Sequence, residues 1–200
     1  MPAISAKRTQ DRTDAILDAA QRIFVERGYQ AASIADIARA AETSDGLIYR
    51  YFDSKRHLLD AVLAVFFHRI LAVLEPQVAA QEGFANKLRA LIRVHLHVLM
   101  SDPGLCRLFI SEVRGVTDFA ESEAKKLTRR YGAVFLGVIR AAEASGEIRT
   151  GIDAPMLRDL VFGGVEHFAW RAISARNKAS VEAAAEAFAN LIVDGVSCAP

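Results

Sequence analysis

Ile16, Ala19, Ala20, Ile23 and Phe24 recur at i, i+3, i+4, i+7 and i+8. That spacing places five apolar side chains on one face of a helix and on both faces of a strand. The same period returns along the chain, and alternating strand-like runs are nearly absent. Pro is limited to five residues. The chain therefore reads as all-α. Its 200 residues, 52% hydrophobic, are enough for one or two domains with a real core.

Local stop and start signals divide the helices. The first spans 10–27, and Gly28 closes it because glycine accepts the left-handed conformation that ends a helix. Ser33 opens a short second helix, IADIARAA, with Asp36 three residues on at the positive helix end. Ile34, Ile37 and Ala38 face inward. Residues 42–44 form a tight turn, and Thr43 or Ser44 caps a third helix over 45–51. Ser54 caps a long fourth helix that runs to about Leu74, before Pro76. Longer helices follow at about 84–100, 103–115, 119–145, 155–175 and 180–197. Asp102-Pro103 breaks one and Gly146 ends another. Asp153 caps the helix that holds Pro155 in its first turn, where a missing N–H costs nothing. Ser180 starts the last.

Two short helices joined by a tight turn and braced by a longer one make a helix-turn-helix unit. In such a unit the second helix enters the DNA major groove. The stretch SDGLIYRYFDSK has the two faces this requires. Leu47, Ile48 and Phe52 pin it to a core. Thr43, Ser44, Asp45, Gly46, Tyr49 and Arg50 lie on or near the other side. Gly46 lets backbone come close to DNA. Tyr49 can reach a phosphate or a thymine methyl, and Arg50 a phosphate or a guanine. Lys55 and Ser33 stand where their helices open and could each hold a phosphate. A short aromatic helix is otherwise simply core. Net charge is +1, and residues 1–57 carry nine Lys/Arg against eight Asp/Glu. Any DNA surface must then come from the placement of charge, not its excess.

From Arg12 to Leu59 the chain resembles the DNA-binding domain of the TetR family of transcriptional repressors. The resemblance rests on GY at 28–29, SIADIA at 33–38, GLIYRYF at 46–52 and SK at 54–55. It implies a homodimer on a palindromic operator in double-stranded DNA. It also implies a variable ligand-binding C-terminal domain whose last two long helices form the dimer interface. The expected organisation is a three-helix helix-turn-helix domain over 1–56 and a ligand-binding and dimerisation domain over 57–200. Two positions depart from the family pattern. Glu42 stands where a turn glycine is frequent, and Asp45 where a basic or neutral residue is common. An acid costs phosphate attraction but can accept from cytosine.

In the C-terminal half, helices 155–175 and 180–197 are the dimerisation candidates. Gly163 and Gly164 permit close helix approach. Ala184, Ala187, Phe188, Leu191, Ile192 and Val196 are expected inward. An effector pocket is expected among Leu96, Leu99, Met100, Phe109, Val113, Phe135, Val138, Phe162 and Trp170. Arg107, Arg114, Arg129 or Arg130 could meet an anionic head group. The segment RDLVFGGVEHFAWR resembles the C-terminal domains of acyl-CoA-responsive members, so an acyl-CoA or fatty acid is the first effector to consider.

Other classes are disfavoured. His95 and His97, two residues apart, diverge on a helix and cannot chelate together. No nucleophile–base motif, phosphate loop or HExxH is present, so neither a cofactor nor a catalytic role is expected. Cys106 and Cys198 form no zinc or disulfide framework, and a reduced cytoplasm is the simplest home. The N-terminus lacks a signal-peptide core, and apolar runs are interrupted short of a membrane span. The rival reading is a helical small-molecule binder or enzyme with no specific DNA recognition.

Overall fold

A computed structural model of the chain describes residues 2–112, 122–175 and 180–197, with side chains from Lys7 onward. The described residues form helices α1 (Pro2–Ala31), α2 (Ile34–Ala40), α3 (Asp45–Tyr51), α4 (Lys55–Ala79), α5 (Phe84–Ser101), α6 (Pro103–Glu112), α7 (Glu123–Ser145), α8 (Ala154–Ser174) and α9 (Val181–Val196). The one strand-like feature among them is an isolated bridge between Ile148 and Ser197. The fold is all-α, as the periodicity requires.

The chain divides into two compact units. The first joins residues 1–67 to 104–127. Its core holds the α1 stripe Ile16, Ala19, Ala20, Ile23 and Phe24, with Ile34, Ile37 and Ala38 of α2 and Ile48 and Phe52 of the α3 segment. Leu58, Leu59, Val62 and Leu63 from α4 complete it, and Leu105 and Leu108 of α6 are buried in the same cluster. Gly104 shows how closely α6 approaches α1: a Cβ there would lie 2.5 Å from Val25 Cγ1. Asp60 on α4 accepts the α7 N-terminal amides of Glu123 (3.2 Å) and Ala124 (3.0 Å).

The second unit joins residues 68–103 to 128–200. There α5 packs on α8 and α9, and Leu88, Leu91, Ile92 and Leu96 of α5 are buried. Its start illustrates capping from a distance. Gly83 precedes α5 at φ 73° and offers no side-chain cap. Glu147 supplies one, its Oε2 accepting from Phe84 N at 2.6 Å while Oε1 accepts from Ser145 at 2.9 Å. A Cβ at position 83 would stand 3.3 Å from that Oε2. The Phe84 amide first, and then the Ser145 hydroxyl, hold the Glu147 carboxyl below its ordinary pKa. A depressed carboxyl stabilises the fold above its unfolded pKa and stops doing so as pH falls through the folded one. Glu147→Ala should therefore cost about 1 kcal/mol at pH 7, the scale of a lost cap. The gap from wild type should begin to narrow as pH falls below the ordinary carboxyl value of about 4.3 and close only below the lowered one. Urea unfolding at pH 7 and pH 3.5 checks both; an unchanged gap would remove the ionised cap.

Three boundaries differ from expectation. α1 begins at Pro2 rather than residue 10, since Pro is tolerated in a first turn and no breaker follows it. Gly28 does break it, at φ 76° and ψ 157°, after which one further turn runs to Ala31. α4 continues past Pro76 to Ala79. Only the last turn lies beyond the proline, and buried Val78 anchors it. α4 is also long and apolar enough to cross a membrane by length and composition, contrary to the expectation that charges interrupt every apolar run. More than half of its apolar window is buried inside the protein, which accounts for that composition.

Candidate functional site

The α2–α3 pair is held from within. Ser33 caps α2, its Oγ accepting from Asp36 N at 3.1 Å and donating to Asp36 Oδ2 at 2.6 Å. Arg27 (2.9 Å) and Arg39 (3.3 Å) complete the surroundings of Asp36. The Ser33 hydroxyl, ahead of the Arg27 charge, holds the Asp36 carboxyl below its ordinary pKa. Thr43 N donates to Ala38 O at 2.9 Å, closing the turn. Glu42 takes the turn at φ 51°, the left-handed region that disfavours a Cβ. Glu42→Gly should raise stability by roughly 0.5–1 kcal/mol. Denaturant unfolding measures it, and a loss of stability would refute the strain. Ser44, not Thr43, caps α3, accepting from Leu47 N at 3.3 Å.

α3 then separates its faces. Ile48 is fully buried, Phe52 is buried and Leu47 is half-buried. Asp45, Gly46, Tyr49 and Arg50 are exposed, and Thr43 is half-buried beside them. Tyr49 is 52% exposed, a large apolar ring left in water. The Gly46 Cα faces open space, with nothing within 4 Å of an added Cβ. A helix seven residues long thus presents an aromatic, a cation, a carboxylate and bare backbone on one side.

Lys55 stands at the start of α4, as expected, and has partners within the chain. Its ammonium donates to the carbonyls of Tyr29 (2.8 Å), Gln30 (3.3 Å) and Ala32 (2.9 Å) and sits 4.5 Å from the centre of the Tyr29 ring. The Arg56 guanidinium lies 5.5 Å from the same ring centre and donates to Glu112 O at 3.2 Å. The spacing of charges gave no sign of either partner. Ser54 does cap α4, accepting from His57 N at 3.0 Å.

The expected effector residues fall in different places. In the second unit, Leu96, Leu99, Phe135 and Val138 are buried, while Met100, Phe162 and Trp170 are half-buried. Phe162 stacks on His95 at 4.6 Å and meets Phe135 edge-on at 5.3 Å. His95 contacts Tyr131 and His97 is exposed, so the two histidines diverge. Phe109 belongs to the first unit, where it packs edge-on against Phe67 at 5.0 Å. A one-dimensional pattern cannot say which of two cores an α6 residue joins. Val113, Arg114 and Cys198 lie outside the described residues. Arg130 is paired with Glu75 by two bonds of 2.7 and 2.6 Å, which raise its pKa. Arg107 and Arg129 are exposed.

α8 and α9 pack on each other through Gly164 and Phe188, where an added Cβ would stand 3.3 Å from the ring. Asp153 and Ser180 cap them, and Pro155 occupies the first turn of α8. Among the charged residues of their outer faces, three large apolar side chains are exposed. Met156 is 59%, Leu160 63% and Leu191 73% exposed. Ala187 and Gly163 also face outward. Ala184 and Val196 are buried and Phe188 and Ile192 half-buried as expected, but Leu191 and Ala187 are not inward in the single chain. The stripe on α9 is wide enough to serve two surfaces.

Comparison with known proteins agrees with this architecture. Residues 16–62 match the tetR family of bacterial regulatory proteins, and residues 81–196 match the tetracyclin repressor-like C-terminal domain. The chain is 24% identical to the fatty acid metabolism regulator protein of Bacillus subtilis, covering 90% of this chain and 93% of that one. It is 25% identical to the transcriptional repressor KstR2 of Rhodococcus jostii, covering 98% and 96%. The crystal structure of the transcriptional regulator FadR from Bacillus subtilis in complex with stearoyl-CoA shares the fold. Its TM-score is 0.77 at 23% identity, over 90% of this chain and 97% of that one.

Proposed function

Because the chain belongs to the tetR family of bacterial regulatory proteins, and so is a DNA-binding transcriptional regulator rather than an enzyme, we propose that it is a cytoplasmic repressor. It binds a palindromic operator as a homodimer and leaves it when an acyl-CoA or fatty acid binds. The observation that carries the DNA half is α3, locked from behind by Ile48 and Phe52 and bare in front at Gly46, Tyr49 and Arg50. Residues 1–56 do the reading. Thr43, Asp45, Gly46, Tyr49 and Arg50 face the groove, with the two capping serines, Ser33 and Ser44, toward the backbone. Residues 57–200 take the effector and pair the protomers through the outer faces of α8 and α9.

Support for the effector class is the aromatic cluster that Phe162 forms with His95, Tyr131 and Phe135 in the second unit, together with relatives named for fatty-acid metabolism and a fold shared with a stearoyl-CoA complex. The proposed set is Leu96, Leu99, Met100, Phe135, Phe162 and Trp170. Repression is released because the effector favours a dimer geometry whose two α3 helices no longer match successive major grooves. Its effect on DNA affinity can be no larger than its differential affinity for the two geometries.

The test is selection of sites from random duplex DNA at moderate salt, followed by titration of the recovered complex with stearoyl-CoA. A palindrome released by the acyl-CoA supports the whole proposal. A palindrome indifferent to acyl-CoAs retains the regulator and removes the effector class. No enrichment from a folded dimer removes the α3 reading.

A further inference from the structure

We infer that His57 is a proton-operated positioning residue at the α3–α4 corner, so that operator affinity falls as the imidazole takes up a proton. The inference rests on the reading of α3 as the DNA-reading helix. Phe52 ends α3, its amide donating to Ile48 O at 2.9 Å, and Lys55 opens α4. His57 ties the short connection between them from both sides. Its amide donates to Ser54 Oγ at 3.0 Å, and its Nδ1 accepts from the Asp53 amide at 3.3 Å. This is the reciprocal arrangement of a capping box, displaced by one amide. A Glu or Gln ordinarily fills the returning place, and either accepts throughout the neutral range. Here an imidazole fills it.

A neutral imidazole accepts at one ring nitrogen, whereas the protonated ring donates at both. Histidine is the side chain whose charge ordinarily changes between about pH 5 and 8. A proton on Nδ1 therefore ends the bond from the Asp53 amide. The protonated nitrogen turns to the Asp53 carboxylate, whose Oδ2 stands 3.6 Å away. That exchange is unfavourable. The Asp53 carboxylate is 95% exposed, and an ion pair in water contributes little. The new charge also stands in the first turn of α4, where the helix dipole disfavours a cation. The ring meets buried Phe52 edge-on at 5.7 Å, so its displacement reaches the side chain that pins α3. Among the described residues, the charged group that faces the ring is Asp53. Lys55 directs its charge to the carbonyls of Tyr29 and Ala32, Arg56 to Glu112, and Asp60 accepts from the α7 amides.

Full-length wild type and His57→Gln would be titrated at about pH 7.5 and about pH 5.5, either side of the histidine range, against the selected operator and against random duplex. The ratio of the two affinities removes the charge that every histidine gains on acidification, which acts on both DNAs. The wild-type ratio should fall about tenfold for the dimer on acidification, within the loss of one cap in each protomer. His57→Gln keeps an acceptor in the same place and takes up no proton. It should match the wild type at the higher pH and hold that ratio within about twofold at the lower.

A fall of equal size in His57→Gln would overturn the inference, because the proton would then act elsewhere. Should that variant fail to fold, heteronuclear NMR of the wild type decides. The Asp53 amide should shift in step with the His57 ring as pH falls, and an amide that stays in place refutes the switch. A wild type with no operator preference at the higher pH sinks the α3 reading and takes this inference with it. An operator preference indifferent to pH sinks this inference alone.

Discussion

Tyr49→Ala should lower operator affinity about 30- to 1,000-fold and leave the melting temperature nearly unchanged. The size follows from removing one groove interaction from each half-site, roughly 2–4 kcal/mol for the dimer. The lack of a stability effect follows from the ring's surroundings. It is 52% exposed, and no hydrogen bond or ring contact with another described residue holds it. A solvent-exposed side chain away from caps and cores contributes within about half a kcal/mol to folding. Its neighbour Ile48 is fully buried, so the two adjacent residues belong to different problems, binding and folding. A mobility-shift titration beside a thermal melt reads both quantities. Wild-type affinity in the variant would mean that α3 presents some other face to DNA. A large drop in melting temperature would mean that Tyr49 is core.

Residues 16–24 were legible because burial and period say the same thing there, and all five predicted positions are buried. The caps at Ser33, Ser44, Ser54, Asp153 and Ser180 were legible because capping is local, a side chain meeting an amide a few residues on. What failed to show was non-local. Leu105 and Leu108 have helical spacing, but nothing in it says that α6 packs with Ile16 and Phe24 rather than with α5. Lys55 announces a cation at a helix start, the usual mark of a phosphate site. Its acceptors are backbone carbonyls, which every residue has and no sequence marks. Glu147 is a similar case, an ordinary charged residue until Phe84 is brought to it from 63 positions away.

The second large effect concerns assembly. Leu160→Glu combined with Leu191→Glu should convert the dimer to monomers and reduce operator binding to the level of random DNA. Neither side chain is used by the single chain, at 63% and 73% exposed, so neither glutamate burdens the monomer fold. In a two-fold interface each patch meets its own copy or its neighbour's. Four carboxylates would then be removed from water without partners, each costing several kcal/mol. One half-site gripped by one seven-residue helix supplies too little to survive that loss, since the two half-sites add their free energies only while the protomers are joined. Sedimentation equilibrium gives the oligomeric state, and circular dichroism confirms that the monomer keeps its helices. A variant that remains a dimer with full operator affinity would move the interface elsewhere and leave the exposed leucines of α8 and α9 without a role in pairing.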